Sequence, residues 1–405
     1  MIVREFLSWL QSAPPSERAE GASALARAYL FSPLSIDDRA AAEGAMLLLL
    51  DDPSPLVRRA LAQAFASSQT APPAVVHALA ADQADVAAVV LEHSPLFVDA
   101  DLVDFVAAGA SAVQTAIARR PLLQRSVAAA IAEVGSAAAC LELIENADAD
   151  IAPFSIDRIV ARHGHLAAVR ESLLARNDLP VPTRQALVAK LSQTLADFVT
   201  ARAWLARERA ARIVSEACEK ATVVLAAESG HGEMRPLVRH LRETGQLTAG
   251  LVLRALLSGN SLLFEESLAE LSGMPVERVT GLVHGKGNAG FRALYEKAGL
   301  PAATFPAFRE AIAAMHEDGF LGDCGDASRL KRRMIERVLT RCEEAALDHV
   351  DSLMTLLRRF ATEAARDEAR MFCEQLARAP ADDFVAERLI AAPVYDFAPE
   401  RLAAA

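Results

Sequence analysis

The chain has 405 residues, with 42 Lys+Arg against 53 Asp+Glu for a formal net charge of −11; 52% of it is hydrophobic and only 5% aromatic. That length is divided among domains or drawn out as an array, and an interior short of aromatics is built from Ala, Leu and Val, a composition that favours helices. The acidic balance repels phosphate backbones and anionic bilayers, which argues against duplex nucleic acid and against membrane surfaces as partners.

In chain order, the opening MIVREFLSWLQSAPPSE sets Ile2, Phe6, Trp9 and Leu10 on one helical face and lacks the long apolar core of a secretion signal. AMLLLL at 45–50 is too short to span a bilayer. We therefore expect a soluble, cytoplasmic protein with no membrane insertion. The five cysteines form no CxxC pair and read as buried small hydrophobes, with no disulfide framework and no metal centre.

DDPSPLVRRALAQAFAS at 51–67 predicts a capped helix: Asp52 as cap, Pro53 and Pro55 in the first turn, and Val57, Leu61 and Phe65 as an apolar stripe. Arg58 and Arg59 fall off that stripe, in water or against an acidic neighbour. Such a helix needs neighbours, and the pattern returns. Val86, Val113, Cys140 and Val169 stand where Val57 stood, each preceded by a second, shorter apolar stretch. A period of 27–29 residues with two helices per unit predicts an α-solenoid. Gly109, Gly135 and Gly164 fall at the turn inside a unit. DDPSPLVRRALAQ resembles the Asp-Pro-x-x-x-Val-Arg opening of HEAT-like and variant leucine-rich helical repeats, and EHSPLF and RRPLL are similar to the Asn-Pro-x-Leu joint of the latter.

Beyond Pro180 and Pro182, residues 183–229 contain no Gly or Pro and predict one long helix, or two with a cryptic break. Leu187, Leu191, Leu195, Phe198, Trp204 or Leu205, then Ile213 and Ala217 form the stripe, which the charged ARERAAR interrupts. Residues 236–312 read as short helices stopped by Gly245, Gly259, Gly273 and Gly299 and started by Thr248, Asn260 or Ser261, and Pro301. LTAGLVLRALLSGNSLLFEESLAELSGMP resembles the characteristic block of an uncharacterised alphaproteobacterial helical-repeat family, domain of unknown function 2336. The resemblance implies a helical fold and carries over no catalytic residue. Residues 326–379, again free of Gly and Pro, predict long amphipathic helices.

Few stretches suggest chemistry. VHGKGNAGF at 283–291 has the glycines and polar groups of an anion-cradling loop, with His284, Lys286 and Asn288 as candidates, but lacks the Walker spacing. The plain alternative is an inter-helix loop. His349, with Asp348 and Asp351 beside it, has the look of a phospho-accepting histidine on a helical hairpin; the plain alternative is a surface histidine. RLKRRMIERVLTR gathers Arg329, Lys331, Arg332, Arg333, Arg337 and Arg341, an interaction candidate alongside Arg58 and Arg59. No catalytic triad order or metal-ligand spacing stands out.

The expected architecture is all-α. An N-terminal α-solenoid of short HEAT-like helical pairs covers 1–182. A multi-helix domain of short Gly/Pro-punctuated helices, entered by a long helix, covers 183–325. A long C-terminal helix or hairpin with a tail covers 326–405. The expected function is a non-catalytic protein-interaction scaffold or regulator without cofactor, in bacterial signalling, able to form a homodimer through its long helices. Nucleic-acid binding through 329–341 is the second reading. A small-molecule or anion sensor, or an enzyme, at 283–291 is the third.

Overall fold

The computed structural model of the chain describes residues 8–10, 12–285, 288–317, 327–344 and 351–378. These form twenty-one α-helices and one 3-10 turn, with no strand among the described residues. The protein is all-α. It divides into two units, Met1–Leu237 and Val238–Ala405.

The first unit alternates between two rows of helices. One row holds α1 (Pro15–Phe31), α3 (Pro55–Phe65), α5 (Ala84–His93), α7 (Ser111–Ala118), α9 (Ala137–Glu145) and α11 (Ala167–Leu174), each packed on the next. Between them in sequence run α2 (Ile36–Leu49), α4 (Pro73–Ala80), α6 (Asp99–Ala108), α8 (Arg125–Val134), α10 (Pro153–His163) and α12 (Val181–Ala201). Of these, α6, α8, α10 and α12 pack successively. The period read from the sequence is therefore the spacing of helices in one row. Val57, Val86, Val113, Cys140 and Val169 are all buried, in one hydrophobic cluster that runs from Ala22 to Leu187. α3 shows the energetics: Val57, Leu61 and Phe65 have no exposed surface, and each burial contributes about 1.5–3 kcal/mol.

Polar side chains fix the register of the rows. Arg120, just past α7, donates to the carbonyls of Leu91 (2.5 Å) and Ser94 (2.8 Å) at the end of α5. Asn146, just past α9, donates to Ala118 and Arg120 carbonyls, both at 2.8 Å. Arg176, just past α11, reaches the Ile144 carbonyl at 3.2 Å. In the other row Arg162 of α10 donates to Ala132 and Gly135, both at 2.8 Å. Helix C-termini leave carbonyls without intrahelical donors, and here the following unit supplies the donor. Burial pulls the Arg120 guanidinium below its ordinary pKa.

The glycines inside the units are steric requirements. A Cβ on Gly109, Gly135 or Gly164 would lie 2.4, 2.4 and 2.5 Å from the carbonyl oxygens of Phe105, Ile131 and Val160. Asp52 differs from its expected role as helix cap. Ser54 stands at the cap of α3; the Asp52 carboxylate accepts from the Ser54 amide and, bidentately at 2.8 Å, from Arg18 of α1.

The Gly/Pro-free stretch after α11 is two helices, α12 and α13 (Arg207–Glu228), packed as a hairpin. The break falls at residues 202–206, where Ala203 takes φ 55° and the Ala203 and Trp204 amides close the turn on Thr200 and Val199 carbonyls. Leu187 of the expected stripe is buried, whereas Leu191, Leu195, Phe198, Ile213 and Ala217 are exposed.

The helix α14 (His231–Glu243) spans the division between the units. The second unit continues with α15 (Ala249–Leu257), α16 (Ser261–Ser272), α17 (Val276–Val283), α18 (Asn288–Lys297), α19 (Phe305–Glu317), α20 (Ala327–Glu344) and α21 (Asp351–Arg378). Gly245, Gly259, Gly273 and Gly299 all have φ between 66° and 74°, a conformation open to glycine that ends each helix before them. Thr248 and Asn260 accept the amides of Leu251 and Leu263 as N-caps. Arg254 of α15 is buried, stacks over Phe360 (4.2 Å) and donates to Glu363 (2.6 Å), tying α15 to α21.

Candidate functional site

Three successive joints from the first row into the second, at 94–98, 119–124 and 146–154, offer neighbouring apolar residues to a turn with room for few of them. In SPLFV, Phe97 turns inward; in RPLLQ, Leu123 does; in APFS, Ala152 does, and all three are buried. Their neighbours point out: Val98 is 62% exposed, Leu122 75% and Phe154 62%. The first joint repeats this with Phe31 (80%) and Ile36 (89%). Because α5, α7 and α9 pack in one row and α6, α8 and α10 in the other, the joints carrying Val98, Leu122 and Phe154 fall on one edge of the stack. A single exposed apolar residue is ordinary; its recurrence at equivalent joints makes an apolar edge. Charge pairs border it: Arg125 with Asp150 at 3.1 Å and Arg119 with Glu142 at 2.5 Å. Leu122 holds φ 53°, which costs a non-glycine residue about 1–2 kcal/mol.

The sequence candidates distribute otherwise. Arg58 is half-buried and committed inside the unit, forked on Asp82 at 2.5 and 3.0 Å and donating to the Asp52 carbonyl. Arg59 is exposed. On α20, Arg332 pairs with Glu336 (2.7 Å) and with Glu368 of α21 (2.9 Å), and Arg341 reaches Glu310 of α19 (3.3 Å). Arg333 is exposed, Arg337 is intermediate, and Arg329 and Lys331 stand in the first turns of the helix. His284 ends α17, and its Nε2 lies 2.8 Å from Oε1 of Glu265, whose other oxygen accepts from the Thr280 hydroxyl. The His316 ring follows at 6.1 Å. This carboxylate engages one ring nitrogen of the imidazole and orients the ring. Asn288 opens α18; Lys286 and His349 lie outside the described residues. Among the described residues no three His, Cys, Asp or Glu side chains converge as a metal site, and no helix is long and apolar enough to cross a membrane. Burial pushes the Cys140 thiol up to about 11.

Sequence reasoning missed the apolar edge. Its signal was present in SPLFV and RPLL, where neighbouring apolar residues stand at a turn that leaves Val98 and Leu122 outside.

No curated protein and no solved structure matches the chain. A family model, that of the uncharacterised proteins conserved in bacteria termed DUF2336, matches residues 86–348, from α5 into the second unit. The match takes in more than half of the chain, and the protein belongs to this bacterial family.

Proposed function

We propose that the protein is a non-catalytic interaction scaffold or regulator: its paired helices form a HEAT-like solenoid that binds a protein partner, in a bacterial signalling setting. The observation that carries this is the apolar edge of Val98, Leu122 and Phe154, bordered by charge pairs. Protein interfaces have that anatomy, an apolar centre within a polar rim. The basic helix favours the same reading over nucleic acid, since Arg332 and Arg341 are engaged by Glu336, Glu368 and Glu310 of their own unit. Self-association belongs to the same picture.

The test is affinity capture with the full chain, followed by reconstitution with the purified partner. A triple variant Val98→Ser, Leu122→Ser, Phe154→Ser should lose the complex while keeping its helical content. Retention of the partner by that variant sinks the proposed edge. Retardation of DNA or RNA at low salt, abolished by Arg333→Glu, would transfer the function to α20.

A further inference from the structure

The hairpin α12–α13 carries a second apolar surface, and its charge pattern identifies what covers it. Leu191, Leu195, Phe198, Trp204, Ile213 and Val224 are 40–62% exposed. The hairpin seam runs through Ala196 and Ala210, both buried. On one side of that seam lies a groove lined by Gln193, Asp197, Thr200 and Arg207 together with alanines, Ala196 and Ala210 among them. Helical spacing of 100° per residue puts Leu191, Leu195, Ile213 and Val224 on the opposite side, in one face. Among the described residues of the first unit the extensive helix packing of α13 is on α12, and the side chains of this face stay exposed.

The charges of α13 are segregated. Its first two turns hold Arg207, Arg209 and Arg212 against Glu208; the remainder holds Glu216, Glu219 and Glu228 against Lys220. Such a helix is complementary to itself when reversed. With a two-fold axis between residues 218 and 219, Ile213 of one copy meets Val224 of the other, and Arg209 meets Glu228. Each contact occurs twice, as an isologous interface requires.

The four side chains placed on this face are 40–54% exposed and at about 100 Å² apiece offer about 400 Å² per copy, or about 800 Å² per pair, the size of a weak, transient interface. Each helix is about 32 Å long, and two such hairpins make a four-helix bundle.

We infer that the occupant of this face is a second copy of the chain, docked antiparallel through α13 with the hairpins forming a four-helix bundle. The inference rests on the interaction reading only in taking exposed apolar faces as binding surfaces. It uses neither the joint edge nor a foreign partner, so its failure leaves the capture experiment intact.

Light scattering and sedimentation equilibrium on the full chain should give a dimer within about 1–100 µM. Leu195→Glu and Ile213→Glu, both at exposed positions, should each weaken it at least about tenfold with an unchanged helical circular dichroism spectrum. Arg209→Glu and Glu228→Arg should each weaken it, and the double reversal should restore it. A wild-type chain that stays monomeric throughout that range overturns the inference. So does a dimer indifferent to Leu195→Glu and Ile213→Glu, or a double reversal no tighter than its parents. A monomer that floats with anionic vesicles through Trp204 would assign the face to a membrane instead.

Discussion

Arg120→Met keeps most of the apolar stem of Arg120 and deletes its fork on the carbonyls of Leu91 and Ser94, at 2.5 and 2.8 Å. Both of those residues are fully buried, so water does not readily replace the lost donors. A hydrogen bond to a charged group contributes about 1.5–3 kcal/mol, and two from one guanidinium share one desolvation cost, so the expected loss is about 3 kcal/mol. Arg120→Lys retains the charge but not the planar fork and should lose about half as much. The assay is urea unfolding of the full chain followed by far-ultraviolet circular dichroism, with the midpoint shift multiplied by the slope. Arg59→Met, at an exposed position, is the control and should move stability by less than about 0.5 kcal/mol. If Arg120→Met behaves like Arg59→Met, reach-back capping does not hold the rows in register.

Three further outcomes follow from the same packing. Gly135→Ala sets a Cβ 2.4 Å from the Ile131 carbonyl, and the forced shift at this joint should cost about 2 kcal/mol or more, read as a lowered thermal midpoint. Ala203→Gly relieves the φ of 55° at the hairpin turn and should raise stability by about 1 kcal/mol in the same scan. Asp52 is held below the usual carboxylate range, chiefly by its hydrogen bond from Arg18. A depressed folded-state pKa contributes stability that is complete above the unfolded value of about 3.9 and is lost as pH falls through the folded one. Asp52→Asn should therefore destabilise the chain at pH 7 and cost progressively less below pH ~4; an equal cost at both ends contradicts the pairing.

The all-α fold and its period were legible because they rest on local signals. Val57, Leu61 and Phe65 recur at helical spacing, and glycines mark turns that side chains cannot make. Gly245, Gly259, Gly273 and Gly299 announced helix ends for the same reason, and all four have positive φ. What escaped the sequence depends on contacts far along the chain. That Arg58 would fork on Asp82, or Arg120 on carbonyls a full repeat earlier, follows from the stacking of rows. The break at residues 202–206 carries no Gly or Pro, because Ala203 adopts the left-handed turn itself. The stripe Leu191, Leu195 and Phe198 reads as core by periodicity alone. Only the packing shows that Leu191, Leu195 and Phe198 stay 40–54% exposed. Of the site candidates, the basic run on α20 was visible as composition, while its pairing with Glu310 and Glu368 needed three helices brought together.

The claim that this bacterial protein works through a surface built at the joints between helix rows of its first unit is tested most directly by hydrogen exchange along the whole chain, alone and with its captured partner. Protection gained at the joints carrying Val98, Leu122 and Phe154, with little change across α20, is the predicted result. Protection confined to residues 327–344 or to the segment around His284, with the joints unchanged, would contradict it.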